Sequence, residues 1–237
     1  IPKVAQVSIK ESTTQRQQRT ERLAPNGKRS NLTDVQYDTV RTKAFKNWFG
    51  NWETDPKNAS KVVDENGEPL VVYHGTAYQK EEMNDIYGKK SPAEKPFSVF
   101  NKTRTGFHFF SSKQSVAEEF AANSISYTKM ETRIIPVFLN AKSVYKKDFK
   151  KERITDSFIN NVHKIKEEGI ILNNVIDSIY VDDTKISNVY AVKKSKQAKL
   201  ADGSNKTFDP DAPSIRQQKV VRFQETIKKS DTPIDII

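Results

Sequence analysis

The sequence predicts an α+β domain flanked by an extended basic N-terminal arm and a polar C-terminal tail, and three observations support this. Hydrophobic residues are only 35% of the 237, and they concentrate between residues 31 and 216. Within that span, short β-branched and aromatic runs dominate, and helical periods are inserted between them without regular alternation. No G-x-G-x-x-G, P-loop or internal repeat occurs, so the usual fingerprints of a doubly wound nucleotide fold are missing. The chain divides into an arm (1–30), a domain (31–216) and a tail (217–237).

Residues 1–30 carry seven Lys/Arg against two Glu, a net of +5 that is half of the formal +10. Two readings fit: a solvated arm, or an arm that binds nucleic acid. Ile1 at the start reads as a processed product or a piece of a longer protein. The chain has no cysteine, which excludes disulfides, thiol catalysis and thiolate metal sites. No apolar run is long enough to span a bilayer, so no membrane partner is expected.

Thr33 and Gln36 form the pattern of a capping box. Phe45, Trp48, Phe49 and Trp52 follow at helical spacing, with Gly50 where that helix ends, and a stripe of this kind reads as core. Residues 61–73 read as a hairpin around a type I′ turn at Asn66-Gly67, with a second strand that delivers His74 just past its end. Residues 97–100 suggest a short strand, and residues 105–111 another, after which Ser112 would cap a helix with Val116, Ala117, Phe120 and Ala121 on one face. Residues 134–139 read as a strand that Pro136 assigns to an edge or bulge. Thr155 caps a further helix, with Phe158, Ile159, Val162 and Ile165 inward. Residues 170–176, 179–181 and 189–192 complete the strands.

His74 has two readings, an imidazole facing a cleft beside the permissive Gly75, or a histidine hydrogen-bonding a loop. His108 should face away from Phe107 and Phe109, and His163 lies on a helix. None of the three has acidic neighbours at metal-ligand spacing, so no metal site is expected. Lys193, Lys194, Lys196 and Lys199 form either a solvated face or a phosphate cradle.

Several motifs occur in a fixed order: Ser30-Asn31-Leu32-Thr33, the aromatic residues 45–53, residues 60–76 ending in Val-Val-Tyr-His-Gly-Thr, residues 106–121, and Phe208-Asp209-Pro210-Asp211 leading to Arg216. This series resembles the ADP-ribosyltransferase domain of polyvalent proteins in bacteriophages and conjugative elements, within the His-Tyr-Glu superfamily. The resemblance implies a split β-sheet core with inserted helices and NAD as substrate. Breaking the ribose–nicotinamide bond passes through an oxocarbenium-like state, so such a protein must hold NAD bent and stabilise positive charge.

The resemblance also assigns roles. His74 would hydrogen-bond a ribose, the Gly75 backbone would bind the nicotinamide amide, and Thr76 lies beside them. Phe109 stands at the family's tyrosine and would stack on nicotinamide, with Phe120 as a second aromatic and Ser111 as the small polar residue after the strand. At the family's late-strand glutamate stands Val189 or, with a one-residue slip, Asn188, and neither is acidic. Gln197 matches a glutamine found after that strand and is the catalytic candidate beside His74, with Asp182 or Asp183 as alternative acids. The implied activity is mono-ADP-ribosylation of a protein or nucleic-acid acceptor by a transferase lacking the usual glutamate. The alternative is a catalytically weak or inactive virion cargo or structural protein that contacts virion proteins and binds nucleic acid through residues 1–30. The implied location is the virion or the host bacterial cytoplasm. On this reading the rings of His74 and Phe109 line opposite walls of one crevice.

Overall fold

The computed structural model describes residues 22–79, 83–84, 90–91, 100, 103–124, 130–180 and 185–215. The sequence readings on residues 1–21, 97–99, Val181, Asp182, Asp183, Arg216 and the tail lie outside the described residues.

Helix α1 (Asp34–Arg41) starts at Thr33 with the expected capping box. Asp34 in its first turn and Arg41 in its last complement the helix dipole. Thr42 ends α1 and caps α2 (Lys43–Phe49), its hydroxyl accepting from the Phe45 amide. Gly50 stops α2 at φ 103, a conformation that a side chain disfavours. The aromatic stripe is core: Phe45, Trp48, Phe49 and Trp52 pack with Val40, Phe138 and Phe208.

The expected hairpin over 61–73 is instead a tight loop closed by one bridge, Val63–Pro69. A type I′ turn needs positive φ at both central residues, and here only Gly67 has it, at φ 81. The Asp64 carboxylate decides the geometry by accepting from the Asn66 and Glu68 amides. Residues 22–30 pack against this loop, through Asn26 Nδ2 to Asn66 Oδ1 and Ser30 Oγ to Glu68 Oε2. Glu68 is fully buried and is compensated by Arg41 at 2.8 Å, whose guanidinium stacks on Tyr37 and reaches Trp52.

The seven-stranded sheet has the order β6-β7-β8-β4-β1-β5-β9. Its strands are β1 (Val72–Gln79), β4 (His108–Ser111), β5 (Met130–Leu139), β6 (Val144–Glu152), β7 (Gly169–Ile176), β8 (Ile186–Val192) and β9 (Ala198–Leu200). A separate pair joins β2 (Met83–Asn84) to β3 (Lys90–Ser91). Every contact in the large sheet is antiparallel except β6–β7. Helix α3 (Gln114–Asn123) packs on β1, and α4 (Asp156–Asn161) lies between β6 and β7 in sequence. This is the predicted α+β class.

Several elements differ from the sequence reading. Ser112 does not cap α3; its hydroxyl accepts from the Asn188 amide instead, and the N-cap is Lys113 without a side-chain bond. Strand β5 is interior rather than an edge. Pro136 fits there because its carbonyl accepts from Ala201, just past the end of β9, and the N of a strand residue faces the same way as its carbonyl. Its missing N–H therefore costs no ladder bond to β1. Residues 179 and 180 form a bend, not a strand. Strand β6 was not read because it is a lysine-rich edge in which only Phe149 is buried.

Candidate functional site

Strand β1 leaves the β4 side of the sheet almost at once. The β1–β4 ladder is the single pair Tyr73–Ser111, whereas β1 pairs with β5 along its whole length. Beyond that pair the sheet is split, and His74 sits at the split. Its Nδ1 lies 3.0 Å from the Phe109 carbonyl oxygen. A carbonyl only accepts, so Nδ1 carries the proton and donates. In the neutral ring Nε2 is then the acceptor nitrogen. Burial pushes the His74 pKa down and favours the neutral ring, against the bond to Phe109, which raises it. Phe100 packs edge-on against the imidazole at 5.0 Å and Phe110 lies at 5.6 Å.

His74 is thus inside a strand rather than past its end, and it reaches the neighbouring strand rather than a loop. His108 shares Phe100 with it, at 5.1 Å, on the face expected from alternation. Burial lowers the His108 pKa first, and the nearness of a second titratable ring, His74, lowers it further.

Gly75 is dictated by α3. A Cβ built there would stand 1.7 Å from the Ala117 carbonyl oxygen and 3.0 Å from the Ala121 nitrogen. No side chain fits, so the helix backbone rests on the strand backbone.

A cavity of about 600 Å³ opens at this split, within the range of small-molecule sites. Of the residues assigned from sequence, it brings together His74, Gly75, Phe109, Ser111 and Phe120. His74 and Phe109 come from neighbouring strands joined by a hydrogen bond, not from opposing walls. Phe120 was expected on the buried face of α3, but it is 44% exposed at the cavity. Val116, Ala117 and Ala121 alone make that buried face.

Two assigned residues are not among those lining the cavity. Thr76 points its hydroxyl toward the Ala77 carbonyl. Gln197 is buried, and its amide is consumed by structure: Nε2 donates to Asn140 O at 2.8 Å and Oε1 accepts from the Lys194 amide at 2.9 Å. It lies in a 3₁₀ turn after the late strand, outside the described cavity lining. The basic run beside it is divided, since Lys193 donates to Ile165 O and Lys199 is buried with its ammonium on Ala212 O and Ser214 O.

Among the lining residues without a role from the sequence, one is an acid. Asp177, just past β7, faces the cavity. Ser187 Oγ donates to its Oδ2 at 2.9 Å, and Ser111 Oγ donates to Ser187 Oγ at 3.0 Å. Burial drives the Asp177 pKa up, the two serines oppose this, and Glu119 adds to the rise. Sequence gave no sign of it, because β7, β8 and β4 must first be in register to assemble the three side chains. The rest of the lining is mainly aromatic and aliphatic, with neither Lys nor Arg among the described residues. Nor do the described residues contain a cluster of three or more potential metal ligands, and none of their helices is long and apolar enough to cross a membrane.

Among known families, residues 64–208 match the one described as ADP-ribosyltransferase in polyvalent proteins. That span exceeds half of the chain and contains every described residue that lines the cavity. Curated proteins and solved structures give no match.

Proposed function

The chain belongs to the ADP-ribosyltransferase family of polyvalent proteins, and on that premise we propose that it binds NAD in the cavity at the split between β1 and β4 and transfers ADP-ribose to a protein acceptor. The observation that carries this is the convergence of His74, Gly75, Phe109, Ser111 and Phe120 on one cavity of about 600 Å³. These residues come from β1, β4 and α3, elements separated in sequence, so their meeting is a property of the fold.

Each group has a job that its environment suits. The neutral His74 ring, with Nδ1–H committed to Phe109, keeps Nε2 as an acceptor for a ribose hydroxyl. Gly75 lies past the single β1–β4 pair and lines the cavity, so its peptide groups are placed to meet a planar amide. Phe109 and Phe120 offer ring faces for nicotinamide, and a ring face attracts the positive charge of the pyridinium. The mainly apolar and aromatic lining suits the nicotinamide riboside end of the dinucleotide.

The test is incubation of the full chain with labelled NAD and host extract, alongside His74→Ala. The expected result is label on protein with wild type and a loss of about a hundredfold or more in the variant. Equal labelling by the two proteins, or NAD titrations that show no binding to wild type, would reject the proposal.

A further inference from the structure

Asp177 is an acid in an apolar cavity, and its orientation is imposed from outside. Its amide donates to Lys185 O at 3.0 Å, which closes the β7–β8 connection at that level. Ser187 on β8 then holds the carboxylate, and Ser111 on β4 holds Ser187, so the end of β7 and its two successive neighbours in the sheet each contribute one member. Both serines are buried, at 4% and 5% exposure. No Lys or Arg among the described residues pairs with Asp177; Lys185 is paired with Glu119 on α3. Glu119 in turn accepts from Ser178 Oγ, so it flanks Asp177 without neutralising it. A carboxylate held this way, lacking a cation of its own and lined by ring faces, suits a cationic ligand.

We propose that Asp177 is the carboxylate that touches the nicotinamide riboside of NAD and meets its positive charge, with Ser187 and Ser111 as positioning residues. The inference rests on the NAD-binding reading above. In the bound dinucleotide the charge begins on the pyridinium. During transfer the C1′–N1 bond breaks, its electron pair passes to the nicotinamide nitrogen, and the positive charge moves to the ribose C1′–O4′ unit. The acceptor's nucleophilic atom then bonds C1′ and gives its proton to water. Asp177 forms no covalent bond; it accepts a hydrogen bond from a ribose hydroxyl and lies near the cation throughout. The role is that of a stabilising carboxylate beside a glycosyl cation.

NAD and NADH differ by the charge of one ring, which makes them a direct probe. Titration of each into the full chain should show NAD bound at least about tenfold tighter than NADH by wild type. Asp177→Asn, which keeps the shape and one acceptor oxygen, should bind the two equally. Asp177→Glu should restore part of the preference, and Ser187→Ala should fall between wild type and Asp177→Asn. Release of nicotinamide should follow the same ranking. Thermal unfolding of Asp177→Asn should be no lower than that of wild type at neutral pH, which separates the effect from misfolding. A preference for NAD that survives in Asp177→Asn overturns the inference and leaves the NAD-binding reading standing. A wild-type chain that binds neither dinucleotide overturns both.

Discussion

Gly75→Ala tests the closest contact in the site. The added methyl carbon would stand 1.7 Å from the Ala117 oxygen and 2.7 Å from its carbon. Ordinary contact begins near 3.4 Å, so α3 or β1 must give way by roughly 1.7 Å, the difference between those separations. The oxygen cannot swing aside, because helix geometry commits it to the Ala121 amide. Helix α3 must therefore move as a body, against the burial of Val116, Ala117 and Ala121. Overpacking of this kind costs typically about 1–3 kcal/mol, and a backbone obstacle puts Gly75→Ala at the upper end, about 3 kcal/mol. For a chain of this size that lowers the melting temperature by roughly 6–12 °C. Gly67→Ala is the contrast: its φ of 81, which Gly75 does not share, is unsuited to alanine, but nothing lies within 4 Å of the new carbon, so the cost is conformational strain of about 1–2 kcal/mol. Thermal unfolding monitored by circular dichroism reads both. A melting temperature for Gly75→Ala within 2–4 °C of wild type, the shift expected from about 1 kcal/mol, would refute the claim that the backbones are in contact there. So would a loss no larger than that of Gly67→Ala.

Two further outcomes follow from the same structure. Burial lowers the pKa values of His74 and His108, so below the unfolded histidine value of about 6.5 the unfolded chain binds more protons than the folded one. Stability contributed by the neutral rings is therefore complete above that pH and is lost as the pH falls through it; melting temperatures between pH 8 and 5 should decline, and His74→Gln should decline less steeply. Phe208→Ala removes a buried ring 5.0 Å from Phe45 and 5.6 Å from Trp48, and denaturant titration should show a loss of about 3–5 kcal/mol, a value near zero excluding the residue from the core.

What could be read from the sequence was what local chemistry decides. Thr33 and Thr155 start helices because each hydroxyl accepts from an amide three positions on, a distance fixed by the chain itself. The aromatic stripe in 45–52 was legible for the same reason. The Phe208 motif proved to be packing, with Phe208 and Ile215 fully buried on two different clusters. Illegibility began where strands must find each other. Ser112 had the spacing of a helix cap, yet the Asn188 amide reached it from β8 first. Gln197 had the spacing of a site residue, yet its amide was already spoken for by Asn140 and Lys194. Asp177 followed an apolar strand with nothing to mark it, because Ser111 and Ser187 approach it only after β4, β8 and β7 pair.

The split in the sheet explains why the cavity lies where it does. An antiparallel ladder satisfies its carbonyls with the neighbouring strand's amides, but the β1–β4 ladder ends after Tyr73–Ser111. The Phe109 carbonyl then needs another donor, since an unpaired buried carbonyl is costly, and His74 supplies one from the first residue past the split. That single bond ties the two halves of the sheet across the gap and fixes the imidazole's tautomer at the cavity wall. Gly75 comes next and lets α3 approach β1 more closely than any side chain would permit. Ser111, at the last paired position of β4, carries the chain of hydroxyls to Asp177 on the other side. The residues that manage the break in the ladder are thus the ones that face the cavity, which accounts for a histidine and a glycine being adjacent there. Replacing His74 with a residue that cannot donate should therefore loosen the sheet and alter the ligand site together, whereas replacing Phe120 on the exposed rim should alter the ligand site alone.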